Sequence, residues 1–474
     1  MLGLDTSQAW TTDLAFRHLQ SGGHAESKRT AERLLQRLAF LPQLLDADSL
    51  QNEAGELAVA TVLHQVLTRA RAKRRLVLFA QLHVLPDGAD CLHANDARGG
   101  RYWHPLPGAA SALPVGAALA ALQRCIGKDV LVLPHGRLVA LLRSMPAPDG
   151  VDIDMLCHGA VDALAAPSPR PDDWPPMPRL QRLEACSIHL LREALAGSRA
   201  PVLLHSMGKD SAVLLHLARK AFYPAPLPMP LLHIDTGWSF RQLIAQRRQI
   251  ARDGGLRLLV HANPQARAGD INPFDHGANL YTRLTQTEAL RQAIEMHRFD
   301  VVIGGARRDE ASARAGERVF SVRDRDQRWC AADQRPEAWS LYNTRSRDGA
   351  SLRAFPLSDW GELDIWLYIL QEGIAVSPLY FAQARPVVRR DDQLIMVDDA
   401  RLPIQAGERI EKMQVRFRSL GCYPLTGAIE SAATTVEQVV LELSASPMPE
   451  RYGRRITDGE GADSLKQKKQ EGYF

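Results

Sequence analysis

Val202-Leu-Leu-His-Ser-Met-Gly-Lys-Asp-Ser211 reads as the end of a strand, a tight turn and the start of a helix. The apolar run from Pro201 to His205 is short enough for a buried strand. Ser206 to Ser211 then fits S-x-G-x-D-S. Gly208 permits close backbone approach and unusual dihedrals. A helix expected over Ser211 to Phe222 points unpaired N–H groups and the positive end of its dipole at whatever lies beyond the strand. Ser206 and Ser211 add hydroxyl donors, and Lys209 adds a charge. A capped helix, with Asp210 or Ser211 as the cap, is the plain structural alternative. The full six-residue pattern in the first strand–helix turn favours a phosphate cradle. It is not the Walker loop, which needs G-x-x-x-x-G-K-[ST].

Outward from this turn the chain alternates. Further apolar runs occur at Leu231–Ile234, Leu256–His261 and Asp300–Ile303, and Phe240–Asp253 and Thr285–His297 have helical spacing. The expected fold class is α/β, a parallel sheet with helices on both faces. Ligands in such sheets bind beyond the carboxyl ends of the strands. Asp235-Thr236-Gly237 follows the second run and Gly304-Gly305-Ala-Arg307-Arg308 follows the fourth, both at such ends.

Upstream, Pro167 to Pro178 (PSPRPDDWPPMP) holds six prolines in twelve residues, which cannot continue a helix and stiffen the chain. It reads as a linker over 166–178 between an N-terminal domain, 1–165, and a C-terminal domain, 179–474. The N-terminal domain reads as a separate α/β unit. Helices are expected over Glu26–Leu41, Glu53–Ala72 and Val115–Cys125, and strands over Arg75–Leu85 and Val130–Leu133. Pro86-Asp-Gly88 reads as a turn. No catalytic pattern stands out there. The basic stretch Arg69–Arg75 reads as a solvated helix end.

Bulk composition narrows the class. Of 474 residues, 45% are hydrophobic and 24% charged, ordinary for a water-soluble globular chain. The formal charge of +4 is too small to argue for nucleic acid. Six cysteines are scattered without C-x-x-C spacing, which fits reduced thiols in a cytoplasmic protein. Neither a secretory signal nor a membrane span is expected.

The loop Ser206–Ser211 resembles the pyrophosphate loop of the N-type ATP pyrophosphatase superfamily, adenine nucleotide alpha hydrolase-like proteins that cut ATP between the α and β phosphates. Other stretches narrow the match: Leu232-His-Ile-Asp-Thr-Gly-Trp238, Asn272-Pro-Phe-Asp-His-Gly277, Gly304-Gly-Ala-Arg-Arg-Asp-Glu310, Gln334-Arg-Pro-Glu337, Phe355-Pro-Leu-Ser358, Arg416-Phe-Arg-Ser-Leu-Gly-Cys-Tyr-Pro-Leu-Thr-Gly427 and Gln470-Glu-Gly-Tyr-Phe474. In this order they resemble sulfate adenylyltransferase subunit 2, from about Arg179 to Phe474. Two departures stand out. Met207 replaces a smaller or branched apolar residue, with little effect expected from a position that contributes backbone. Arg323–Trp329 differs modestly from the family pattern.

The resemblance implies a nucleotidyltransferase that makes adenylyl sulfate and pyrophosphate from ATP and sulfate. Lys209, Asp210, Arg307 and Arg308 become the catalytic candidates. Ser206, Gly208, Ser211, Asp235, Thr236, Gly237, Gly304 and Gly305 become the ATP and pyrophosphate candidates. Asp210 is also a Mg²⁺ candidate. Arg307 and Arg308 carry forked donors suited to an anion; ion pairing with Asp309 and Glu310 is the plainer role for one of them. Arg323 and Arg325 are second-line anion candidates, and His205, His216, His233 and His276 read as packing or hydrogen-bonding residues. The resemblance also implies a GTP-hydrolysing large subunit as partner in a heterodimer, with Lys466–Lys469, Tyr473 and Phe474 as candidate contacts. Two rivals remain: a reductase of the related fold, which needs a cysteine near the C-terminus where this chain has none beyond Cys422, and an ATP-binding sensor or repurposed sulfur-transfer subunit.

Overall fold

The computed structural model describes residues 5–155, 177–445 and Glu450, with gaps at 6, 54, 56, 59, 109, 144, 253–254, 311–313, 346–349, 391–392 and 400. The proline-rich stretch before Met177 and the C-terminal tail lie outside the described residues. The chain forms two compact units, Met1–Ala160 and Val161–Phe474.

In the first unit the strands are β1 (Trp10–Thr11), β2 (Leu76–Val84), β3 (Asp90–Asp96), β4 (Arg101–Pro105), β5 (Val130–Pro134) and β6 (Val151–Ile153). Their order is β1-β4-β3-β2-β5-β6. β2, β5 and β6 run parallel, while β2, β3, β4 and β1 form an antiparallel meander. The expected turn after β2 is present, with Gly88 at φ 85°. Five helices are described: α1 (Thr12–Ser21), α2 (Lys28–Arg37), α3 (Ala60–Ala72), α4 (Ala112–Ile126) and α5 (Arg137–Leu142). α2 is shorter than its apolar spacing predicts. Ser27 caps its start, accepting from the Thr30 N–H, and Ala39 turns left-handed just past its end. α4 and α5 pack Val115, Leu119 and Leu138 on one sheet face, and α3 packs Leu63 and Val66 on the other.

The second unit begins with α6 (Pro178–Ala196), so Pro178 is the first helical residue, where its missing N–H costs nothing. Then come β7 (Pro201–Leu204), α7 (Lys209–Phe222), β8 (Leu231–Ile234), α8 (Arg241–Arg252), β9 (Leu258–His261), α9 (Pro264–Ala268) and α10 (Ala278–Thr282). α10 continues through a π-helical turn, Arg283–Glu288, into α11 (Ala289–His297). β10 (Val301–Ile303), β11 (Phe320–Arg323), β12 (Ser351–Ala354) and α12 (Glu362–Glu372) follow. The sheet order is β11-β12-β10-β7-β8-β9. Five strands are parallel, and β11 is antiparallel at the edge. Chain order reverses between β7 and β10, the switch point at which ligands bind in such sheets. Leu203, Ile303 and Ala354 pack with α6, α7 and α12 on one face. Val202, Leu232 and Val302 pack with Leu290 and Ile294 of α11 on the other.

A second, four-stranded sheet was not expected from the sequence. It comprises β13 (Gln383–Arg390), β14 (Gln393–Met396), β15 (Glu411–Arg416) and β16 (Ile429–Glu430), all antiparallel, before α13 (Val436–Ala445). Val387, Ile395 and Phe417 join Trp238, Phe240 and Tyr281 in one core, which ties this sheet to the loop after β8.

Candidate active site

The phosphate loop lies between β7 and α7. Gly208 is the N-cap, so the helix begins at Lys209, two residues before the expected start. Gly208 has φ −84°, an ordinary value; the left-handed residue is Met207, at φ 66°. Gly208 matters for space instead. A Cβ there would stand 3.3 Å from both the Ser206 Oγ and the Tyr380 Oη. Met207 contributes more than backbone, because its side chain is buried in the core with Trp238 and Phe240. The loop is also held by hydrogen bonds. The Lys209 N–H donates to the Tyr380 hydroxyl (2.8 Å), the Ser211 hydroxyl to the Gly208 carbonyl (2.8 Å), and the Met207 N–H to the His205 Nδ1 (3.2 Å).

Beside the loop lies a cavity of about 300 Å³, at the lower end of the range for small-molecule sites. Ser206, Gly208, Asp210 and Ser211 form its polar end; Leu232, Ile234 and Leu290 give it an apolar floor. The π-helical turn adds Gln286 and Thr287 to the wall. Gly305 is there because it must be small, since a Cβ would meet the Asp210 backbone at 3.3 Å. Cys422 also lines the cavity, its sulfur accepting from the Tyr281 hydroxyl (3.2 Å) and the Gln286 amide (3.1 Å).

At the polar end two buried cations meet carboxylates. The Lys209 ammonium, fully buried, pairs with Glu450 and lies 3.4 Å from Asp210; it also donates to the Arg418 carbonyl (3.2 Å). The Arg307 guanidinium, 1% exposed, pairs with Asp210, Glu450 and, at 3.0 Å, Asp309. Burial opposes the charge on Arg307, but Glu450 and Asp309 outweigh it and push the group above its ordinary range. Burial likewise raises the Glu450 carboxyl, and the adjoining Lys209 and Arg307 charges more than reverse it, so Glu450 stays ionised.

Residues 200–428 match the model of the phosphoadenosine phosphosulfate reductase domain. The chain is 56% identical over 303 residues to sulfate adenylyltransferase subunit 2 of Nocardia farcinica (strain IFM 10152), covering 64% of this chain and 98% of that protein. It is 57% identical over 300 residues to the subunit 2 of Methylobacterium sp. (strain 4-46), covering 63% of this chain and 96% of the relative. The chain belongs to the sulfate adenylyltransferase subunit 2 family. It is therefore an enzyme subunit of nucleotidyltransferase type. Among solved structures, phosphoadenylyl-sulfate reductase from Candida auris matches at a TM-score of 0.30 and 16% identity, covering 44% of this chain and 92% of that one.

Every residue lining this cavity except Glu450 lies within the matched stretch 200–428. Of the sequence-derived candidates, Ser206, Gly208, Asp210, Ser211, Thr236 and Gly305 line it. Lys209 and Arg307 stand immediately behind, reaching Asp210 and Glu450. Asp235 is drawn away from the cavity. It accepts from Arg247 (2.9 Å) and from the Gly237 N–H (2.9 Å). Burial would raise its carboxyl, but the Arg247 charge and the Gly237 bond bring it below its usual range. Asp235 and Gly237 shape the loop that presents Thr236. Arg401 fixes the same loop: it donates to the Gly237 carbonyl (2.7 Å) and lies 4.8 Å from the centre of the Trp238 ring. Gly304 continues the β10–β12 hydrogen bonding, donating to Ala354 (2.9 Å).

Arg308 does not line the cavity; it pairs with Asp359 and donates to the Glu317 carbonyl, so the ion-pairing role applies to it with different partners. Arg325 is exposed. His205 and His233 are buried and linked, the His233 Nδ1 standing 2.9 Å from the His205 carbonyl, while His216 pairs with Glu372 and the His276 Nδ1 accepts from the Asn272 N–H. Glu450, Tyr380 and the π-helical turn were missed. Glu450 and Tyr380 lie 241 and 171 residues from Lys209, and no local pattern marks either.

Proposed function

We propose that the cavity binds ATP with its triphosphate at the Ser206–Ser211 loop, and that the chain transfers the adenylyl group to sulfate. A sulfate oxygen attacks the α-phosphorus; the new P–O bond forms as the bond to the β-phosphate oxygen breaks, and pyrophosphate leaves. The observation that carries this reading is the charged end of the cavity, where Lys209 and Arg307 converge on Asp210 at the helix start. No side chain forms a covalent bond. Positioning and charge stabilisation do the work.

Ser206, Gly208, Ser211 and the helix start hold the departing phosphates, with Lys209 and Arg307 offsetting the charge that builds on them. Thr236 and the apolar floor take the adenosine side, with Gly304 and Gly305 leaving room for the backbone to approach. Asp210 faces the cavity and fits Mg²⁺, which favours one carboxylate plus phosphate oxygens and would neutralise phosphate charge there. Asp235 and Gly237 orient Thr236, and Arg308 supports the Gly304–Arg307 turn. By family resemblance the partner is a GTP-hydrolysing large subunit, and the setting is cytoplasmic sulfate assimilation; no described helix is long and apolar enough to cross a membrane. Residues 1–165 are read as a separate domain, joined by the proline-rich stretch that ends before Met177.

The test is pyrophosphate release from ATP, with and without sulfate, by the chain co-purified with a large subunit. Sulfate-dependent release that rises with GTP is expected. Lys209→Ala, Asp210→Ala and Arg307→Ala are each expected to lower turnover by about a hundredfold or more. Wild-type turnover in all three removes the assignment. ATP binding without release favours the sensor reading.

A further inference from the structure

A second concentration of positive charge lies on the cavity's side of the sheet. Arg353 of β12 is in register with Val302 of β10 and Ser321 of β11. Val302 packs with Leu232 and Leu290, so that face carries the cavity floor. Alternation along β11 puts Arg323 on the same face as Ser321. Arg323 and Arg353 are each 1% exposed. Gln327 accepts from the Arg353 Nη2 (3.2 Å). The Arg323 Nη2 lies 4.0 Å from Glu317, and among the described residues its Nε and Nη1 have no hydrogen-bond partner.

This arrangement is costly in isolation. A buried guanidinium donor without an acceptor loses its hydration with nothing in return. Two buried guanidinium groups on adjoining strands add mutual repulsion. Burial pulls Arg323 down to about 10 despite Glu317, and burial together with the Arg323 charge pulls Arg353 well down. An anion removes both costs, and forked guanidinium donors suit a tetrahedral oxyanion. Arg314 supplies the link to the active site: it lines the cavity, and its charge acts on Arg323.

We propose that Arg314, Arg323 and Arg353 are the sulfate-recognition arm of this site, with Arg314 meeting the dianion from the cavity wall and Arg323 supplying donors. The assignment rests on the adenylyl-transfer reading above, and it concerns the acceptor and not the nucleotide. Arg353 is a positioning residue, held by Gln327 and acting through its charge.

Arg323→Met in the co-purified complex tests it, with KM measured separately for sulfate and ATP. The sulfate KM should rise by about tenfold or more, the loss expected for a charge-assisted contact, with the ATP KM within about twofold. A rise confined to ATP means that the arm serves nucleotide phosphate and overturns the proposal. Unchanged values for both overturn it as well. Thermal unfolding in sodium sulfate, against sodium chloride at equal ionic strength, supplies an activity-free readout. The wild type should gain stability from sulfate, and Arg323→Met should lose that gain without being less stable in chloride. Arg314→Gln and Arg353→Met carry the same comparisons if Arg323→Met does not fold. A wild type stabilised by sulfate but releasing no pyrophosphate would sink the adenylyl-transfer reading and leave the anion arm standing. No sulfate stabilisation in an active wild type would sink the arm alone.

Discussion

Met207 holds a backbone angle that few side chains accept, and an unbranched chain accepts it more readily than a branched one. Met207→Val, which adds β-branching at an angle the wild type already carries and shortens a buried side chain, should destabilise the fold by about 1 kcal/mol, read by chemical denaturation. The sequence pattern assigned the unusual angle to Gly208 because glycine is the usual bearer, whereas the steric need for glycine comes from Tyr380, far away in sequence. His205, two residues before Met207, carries a pH prediction. Burial first, then the His233 and Arg219 charges, lowers its imidazole to about 3. In the unfolded chain it titrates near 6.5, so between about 6.5 and 3 the unfolded state binds the extra proton. Stability is then full above about pH 6.5 and falls as the pH drops through that window. His205→Asn should flatten the upper part of this decline in urea titrations from pH 7 to 5; an unchanged slope removes the prediction.

At the scale of elements, the loop after β8 shows how the site is held. Arg401 is fully buried against Asp399, donates to the Gly237 carbonyl and lies over both Trp238 and Tyr423. Lysine keeps the charge but loses the planar fork. Arg401→Lys should cost about 2–4 kcal/mol of stability and weaken ATP binding more than sulfate binding, checked by denaturation and separate KM values. The α/β alternation and phosphate loop were legible because each needs only a dozen neighbouring residues to announce itself. β7, β8 and β10 are short apolar runs, and S-x-G-x-D-S stands at their switch point. β3 was not legible: DCLHAND is buried on both faces yet has no β-branched residue. β13–β16 escaped for a related reason, since Gln383–Arg390 mixes arginines and a proline with its valines. The Lys209–Glu450 and Arg307–Asp210 pairs are invisible to spacing because long-range folding creates them. Arg323 was read as an anion candidate from its residue type; its burial and open donors belong to the fold.

Over the described residues of the whole molecule, the apolar clusters fall within one unit or the other. Leu78, Val115 and Leu138 belong to one core, and Leu203, Val301 and Trp366 to another. A fragment starting at Met177 should therefore unfold cooperatively and retain sulfate-dependent pyrophosphate release with the large subunit, measured by circular dichroism and product assay. A molten fragment would show that the N-terminal unit is needed for folding. The thiols have a different consequence. Cys125, Cys186 and Cys330 are exposed, while Cys422 is buried in the cavity wall, its sulfur engaged by Tyr281 and Gln286. Among the described cysteines, an alkylating reagent followed by peptide mass spectrometry thus sees three exposed markers and one gated position in the cavity wall. Saturating ATP should slow modification of Cys422 relative to the three exposed thiols, making the chain a footprinting gauge of its own nucleotide occupancy, calibrated within every sample by those three.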